Sequence, residues 1–364
     1  MEFGLSEDQR LIERSLRGYL HDQVPLEEIR RIAAQRSGFD DALWRGLTEL
    51  GVPGLLVAEE FGGAGLSFLD AAVVAESLGY AAAPAPFLAA GVMAPLAISS
   101  MADEAQRRAW LPAIARGEMR IAVAAGALAG TTGDTTLTFD AERLNGRVSG
   151  VIDSGQATHV LAFLTDGRCV LTDAPQPDLE IDPRPTVDRT RPLAGMIFDH
   201  VPATALAGDD DPREQALRVL DAGRLILAAD TLGAAQCMIE KAVAYAGERV
   251  QFDRVIASFQ AVKHMCAEMT TAVEPCRSLI WYAAHAQDHL ADERRMLANL
   301  TKAHLNDVGR DVARTATEVH GGMGFTDLMG LHFWFKRISF NRQVLGGSER
   351  CRNDAALAQG WIAA

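Results

Sequence analysis

The chain has 364 residues, 48% of them hydrophobic and 23% charged, with a formal net charge of −13 at pH 7. This is a globular composition, long enough for two or three domains with cores of their own. The acidic balance argues against a nucleic-acid or anionic-membrane surface, and no apolar run reaches the ~20 residues a membrane helix requires. Neither nucleic acid nor membrane is therefore an expected partner.

Five cysteines, Cys169, Cys237, Cys266, Cys276 and Cys351, form no CxxC pair. Reduced thiols in a cytoplasmic protein are expected. The opening "MEFGLSEDQRLIERSL" carries both charge signs and reads as neither a signal nor a transit peptide. His285 and His289 stand near Asp288 and Glu293, but no second cluster completes a coordination sphere, so no metal is assigned.

In chain order, residues 1–119 read as a helical domain. Ser6, followed by Asp8 and Gln9, predicts a capping box, and Leu11, Ile12, Leu16 and Leu20 share one stripe. "GFDDALWRGLTELG" and "SFLDAAVVAESLGY" predict further helices, each ended by glycine, with the glycine-rich loop "VAEEFGGAGLS" between them. "DEAQRRAWLPAIARGE" predicts another short helix. Over residues 120–211 the pattern changes to short β-rich runs, "TTLTFD", "RVSGVID", "THVLAFL" and "RCVLTD". Asn145-Gly146 and Asp166-Gly167 are hairpin dipeptides, and a small antiparallel barrel or sandwich is expected.

"AGDDDPRE" then reads as a linker in which Asp211 and Pro212 start a helix. Over residues 212–364, apolar stripes run from Pro212 to Glu248, from Ser258 to Gln287 with a kink at Pro275, and from Asp292 to Val319. Long helices with short connections predict a four-helix bundle closed by the final segment. The fold class is therefore mainly α with a central β domain.

Three local runs carry chemistry. In "YAGERVQFDRVIASFQAVKHMCAEM", a helix ends at Arg249, Gln251 and Phe252. The arginine suits a phosphate and the phenylalanine can stack, although an Arg and a Phe at a helix end are usually cap and core. In "EVHGGMGFT", Gly321 and Gly322 either let a ligand approach backbone or break the helix. In "VLGGSER", Gly346 and Gly347 interrupt a stretch that otherwise looks helical, where each glycine costs about 1 kcal/mol relative to alanine.

Taken together, "ERVQF", "SFQAVKH", "VHGGMGFT" and "FKR", preceded by "LGVPGLLVAEEFGGAGLSFLDAAVVAESLG" and "WLPAIARGE", closely resemble the acyl-CoA dehydrogenase family. The resemblance runs from Phe3 to about Trp361. It implies an N-terminal α domain, a middle β domain and a C-terminal four-helix bundle through which subunits tetramerise. FAD is the implied cofactor, α,β-dehydrogenation of an acyl-CoA thioester the implied reaction, and electron-transfer flavoprotein or a similar acceptor an implied partner. It further implies that Arg249, Gln251, Phe252, Glu318, Gly321, Gly322 and Ser348 hold the cofactor. Glu318 stands where the family commonly has glutamine.

Abstraction of a thioester α proton needs a positioned, desolvated carboxylate. The family's usual base position falls here on Gly346, and its alternative position on Gly223, so the base is absent. Asp221 and Asp230 lie elsewhere around and along the same helix, and Glu349 reads as a solvated charge. The segments "VAAGALAGTTGDTT" and "VSGVIDSGQATHV" depart from the family's flavin cradle, lacking its Gly-Ser-Asp, lysine and aromatic residues. The pattern looks like the short subunit of heteromeric acyl-CoA dehydrogenases, some of which act on steroid-derived thioesters. A self-sufficient homotetramer with a displaced base, a flavin monooxygenase on the same fold, and a structural subunit are the alternatives.

Overall fold

A computed structural model describes residues 4–35, 37–130 and 135–363. The helices α1 (Glu7–Gln23), α2 (Leu26–Ala34), α3 (Asp41–Glu49), α4 (Phe68–Tyr80), α5 (Ala94–Met101) and α6 (Glu104–Ala115) come first. The strands β1 (Ile121–Ala124), β2 (Thr136–Asp140), β3 (Arg143–Ile152), β4 (His159–Phe163), β5 (Cys169–Asp173), β6 (Leu179–Arg184), β7 (Leu193–Pro202) and β8 (Thr204–Ala205) follow, with the one-turn α7 (Gly126–Ala129) after β1. Then come α8 (Pro212–Glu248), the short strands β9 (Val250–Gln251) and β10 (Arg254–Val255), α9 (Gln260–His289), α10 (Ala291–His320), α11 (His332–Gln343) and α12 (Ser348–Ala358). No helix among the described residues is long and apolar enough to cross a membrane.

The chain divides into two compact units. One comprises residues 4–29, 72–83 and 227–363 and is almost wholly helical. Its α1 starts on the expected capping box, with Gln9 N–H donating to Ser6 Oγ at 3.2 Å and Ser6 N–H to Gln9 Oε1 at 3.0 Å. The stripe is narrower than expected: Leu16 and Leu20 are buried, whereas Leu11 is 56% exposed, because only the C-terminal half of α1 is packed. Helix α4 does not stop at Gly79. It runs to Tyr80, and the left-handed residue that follows is Ala82, with φ 48°.

Gly79 serves packing instead. A Cβ there would lie 1.9 Å from Asp230 O, and one on Gly233 would lie 1.8 Å from Glu76 O. The backbones of α4 and α8 thus touch at two glycines, a contact no other residue permits. Helix α10 packs on α9, α11 and α12, and Pro275 lies inside α9 without ending it.

The core of this unit also holds charge. Both oxygens of Asp230 accept from Arg337, through Nε and Nη2 at 3.0 Å each, and Oδ1 accepts from Asn341 Nδ2 at 2.6 Å. Arg337 also donates to Ala83 O at 2.9 Å. Asp230 and Arg337 are 1% and 0% exposed, so the pair survives burial only because its lone pairs and protons are met.

The other unit comprises the described parts of residues 30–71 and 84–226, and is built on an eight-stranded sheet in the order β6-β7-β3-β1-β4-β5-β8, with β2 on β3. One face buries Leu144, Val148, Val160, Val170, Met196 and Phe198. The sheet is mixed rather than antiparallel throughout: β1 pairs with β4 in parallel, Ile121 opposite His159. The β2–β3 hairpin between them supplies the long crossover that parallel pairing needs.

Asp166-Gly167 does turn the chain, between β4 and β5, with Gly167 at φ 91°. Asn145-Gly146 does not. It lies inside β3, and the β2–β3 turn is Ala141-Glu142, with φ 46° and 57°. Gly146 sits at a register irregularity against β7, where a Cβ would come 1.6 Å from Thr136 O. Close strand approach explains this glycine, and Asn145 Oδ1 accepts the His200 N–H at 2.8 Å.

Candidate functional site

The first carrier of the site is the C-terminus of α8. Arg249 N–H donates to Tyr245 O at 2.8 Å, so the arginine still belongs to the last helical turn, and Ile256 N–H closes back onto Arg249 O at 2.8 Å. Between these bonds β9 and β10 form a hairpin with a two-residue turn, Phe252 at φ 54° and Asp253 at φ 61°. Two left-handed non-glycine residues in sequence cost on the order of 1–3 kcal/mol each. The strained turn lifts the Phe252 ring to 85% exposure, where it meets the edge of Phe259 at 6.0 Å. Arg254 lies over Phe259 at 4.1 Å. Arg249 is exposed, and its guanidinium has no carboxylate partner among the described residues. Gln251 is also exposed and donates to Val250 O at 2.9 Å.

The second carrier is the C-terminus of α10. Gly321 breaks the helix at φ 58°, and neither Gly321 nor Gly322 has any atom within 4 Å of where a Cβ would stand. Glu318 is exposed one turn earlier. The two carriers meet through a ring stack, with the centroids of Tyr245 and His320 4.7 Å apart at an interplanar angle of 24°. Because a carbonyl only accepts, the 2.7 Å contact between His320 Nδ1 and Ala316 O puts the proton on Nδ1. Nε2 is then a buried acceptor with no partner among the described residues. Burial pushes the His320 pKa below the usual imidazole value and outweighs the Ala316 bond, with the Lys241 charge adding in the same direction.

These two carriers bring together Arg249, Gln251, Phe252, Glu318, Gly321 and Gly322. Ser348 belongs to a different cluster: it is buried at the start of α12 and donates to Asp307 Oδ1 at 3.2 Å, while Arg352 holds Oδ2 at 2.5 Å. Desolvation alone would raise the Asp307 pKa, but Arg352 and Ser348 hold it below the usual carboxylate range. Tyr245 and His320 were visible inside the quoted runs, yet no spacing rule marks two rings on different helices as partners.

The two residues at the expected base positions, Gly346 and Gly223, are both buried. Gly346 is buried between α11 and α12 at φ 106°, following Leu345 at φ 60°. Gly347 is the extended N-cap of α12. The glycine pair is therefore a turn, and a side chain at residue 346 would be both buried and strained. Gly223 lies buried within α8, flanked by Asp221 and Arg224, whose Oδ1 and Nη1 are 3.4 Å apart. Asp230 is committed to Arg337, and Glu349 is an exposed first-turn residue of α12.

In the sheet unit, the first segment, Val123 to Thr136, runs from the end of β1 through α7 to the start of β2, with residues 131–134 outside the described residues. The second spans the β3–β4 connection. There Asp153, at φ 54°, accepts the Ala89 N–H at 3.0 Å, and His159 lies 3.2 Å from Asp173 and 2.9 Å from Thr158 Oγ1.

An arginine hairpin and a glycine turn at adjoining helix ends are what the resemblance to acyl-CoA dehydrogenases implies. Residues 6–118 match the acyl-CoA dehydrogenase N-terminal domain and residues 213–359 its C-terminal domain. Acyl-CoA dehydrogenase IpdE2 of Mycolicibacterium smegmatis is 30% identical over 344 residues, spanning 94% of this chain and 96% of the relative. A variant of the Tcur3481-Tcur3483 steroid ACAD superposes with a TM-score of 0.86 at 27% identity, covering 98% of each chain. A chain of the ChsE4-ChsE5 complex from Mycobacterium tuberculosis has the same fold, with a TM-score of 0.88 at 23% identity and full coverage of both chains. The chain belongs to the acyl-CoA dehydrogenase family, whose members are in general FAD-dependent dehydrogenases of acyl-CoA thioesters.

Proposed function

We propose that this chain is a subunit of a heteromeric acyl-CoA dehydrogenase that completes the FAD site of a homologous partner and has no catalytic carboxylate of its own. The observation that carries the reading is the contrast at two glycine pairs: Gly321 and Gly322 are open on a helix end joined to that of Arg249, which has no carboxylate partner among the described residues, whereas Gly346 is a buried turn. The donor set fits half of a dinucleotide. Arg249 would hold the pyrophosphate by charge-assisted hydrogen bonds, Phe252 would lie against the adenine, and the Gly321–Gly322 backbone would accept close approach. FAD, when bound, would supply the hydride acceptor. This chain's residues bind and orient that cofactor, and neither position where the family places its base carries a carboxylate.

Within this reading residues 1–119, 120–211 and 212–364 act as helical, β and bundle domains, and assembly runs through the bundle. A cytoplasmic location is in keeping with the scattered cysteines, and an electron-transfer flavoprotein or similar acceptor with the family resemblance. The likeness to one steroid ACAD supports a bulky, steroid-type acyl group as substrate. The direct test is Arg249→Ala in the assembled oligomer. Loss of the charge-assisted contact should weaken flavin retention by about 1.5–3 kcal/mol. Undiminished flavin absorbance after gel filtration would refute the clamp.

A further inference from the structure

The two halves of the clamp come from helix ends far apart in the chain, and the Tyr245–His320 ring pair joins them. Tyr245 and Arg249 are bound through the Arg249 N–H to Tyr245 O contact, so the Tyr245 ring and the arginine share one helical turn. On the other side, His320 is the residue before Gly321 and is fixed to α10 by its bond to Ala316 O. The glycine turn then folds back over it: a Cβ on Gly324 would come 3.0 Å from His320 Cβ and 2.7 Å from Thr317 O. Arg249 and Gly321–Gly322 are thus each held to one of two rings stacked 4.7 Å apart.

We propose that His320 is a positioning residue for the cofactor: through its stack on Tyr245 it sets Arg249 and the Gly321–Gly322 backbone in the one relative placement that lets both engage the same dinucleotide. This rests on the clamp reading above. Packing alone does not account for a histidine here. A buried ring nitrogen without a partner among the described residues carries a desolvation cost that a phenylalanine would avoid. A flat ring is what the stack requires, while the Nδ1 proton ties that ring to the helix bearing the glycines.

The experiment uses the oligomer as purified, stripped of flavin and titrated with FAD while flavin fluorescence is followed, with thermal unfolding of the stripped protein as the control for stability. His320→Ala should weaken FAD binding about tenfold and should be non-additive with Arg249→Ala, because both act on one clamp. His320→Phe, which retains a stacking ring, should restore most of the affinity. Tyr245→Leu should reproduce the loss from the other side, and stands in should His320→Ala fail to fold. An unchanged FAD dissociation constant in His320→Ala, with only a lowered melting temperature, would overturn the proposal, as would strict additivity with Arg249→Ala. Should Arg249→Ala itself leave FAD binding intact, the clamp reading falls and this inference with it. Loss in Arg249→Ala with an inert His320→Ala would remove the inference alone.

Discussion

Gly321–Gly322 and Gly346–Gly347 are the same dipeptide put to opposite uses. The first pair ends α10 in open space, exposed and with no neighbour where a Cβ would be. At the second, Gly346 is buried at φ 106° and joins α11 to α12. One pair leaves room for something to approach, and the other spends its conformational freedom on the chain itself. On the proposed function, the open pair belongs to the half-site lent to a neighbour and the buried pair replaces a catalytic base.

The sharpest way to break that contrast is turnover. Homogeneous chain, supplied with FAD, acyl-CoA thioesters and an electron acceptor, should be about 10²–10⁴-fold less active than the same chain assembled with a glutamate-bearing homologue. Robust activity alone would mean that a carboxylate reaches the thioester after all. Asp230 is the natural suspect, and Asp230→Ala separates the possibilities. Removing one partner of a buried ion pair should cost about 3–5 kcal/mol in chemical denaturation. A residue acting as base would instead lose turnover with little change in stability.

Two substitutions compare the glycine pairs directly. Gly346→Glu should fail to restore activity and should destabilise the fold by about 1–3 kcal/mol, since its backbone lies where side chains are strained. Gly322→Ala should leave stability within about 0.5 kcal/mol of wild type while lowering flavin retention, because its Cβ would occupy the open approach. Equal behaviour of the two variants would erase the distinction between them.

The smallest expected effect is acid sensitivity at the ring stack. Burial depresses the His320 pKa, and Lys241 on α8 is the charged group that opposes its protonation. The neutral ring therefore contributes stability that is fully present above the unfolded imidazole value of about 6.5 and is lost as pH falls through the lower folded value. Melting temperatures from pH 7.5 to 5 should fall more steeply for wild type than for His320→Phe. Parallel curves would show that this histidine does not titrate against the fold.

Much of this was legible in sequence because it depends on neighbours along the chain. The Ser6 and Gln9 cap, the limits of α8 and the Asp166-Gly167 turn are decided within a few residues by hydrogen bonds and backbone preference. The two runs proposed to form the clamp were also quotable from sequence, because each is short and continuous, and the Tyr245–His320 stack brings their helix ends together. Glycines and buried charges were less readable, since the same residue serves a turn, a close contact or a ligand according to what faces it. Gly79 looked like a helix stop and is a helix crossing; Asn145-Gly146 looked like a hairpin and is a strand irregularity.

The sequence by itself determined a mainly helical protein with a β insert, its family, and the two short runs from which the proposed clamp is built. Tertiary structure alone decided that Tyr245 and His320 stack, that Asp230 is consumed by Arg337, that β1 runs parallel to β4, and that Gly346 is left-handed and buried. The physical reason is range. Capping, turns and motif spacing are local, whereas ring stacking, ion-pair burial and strand pairing depend on which distant segments packing brings together.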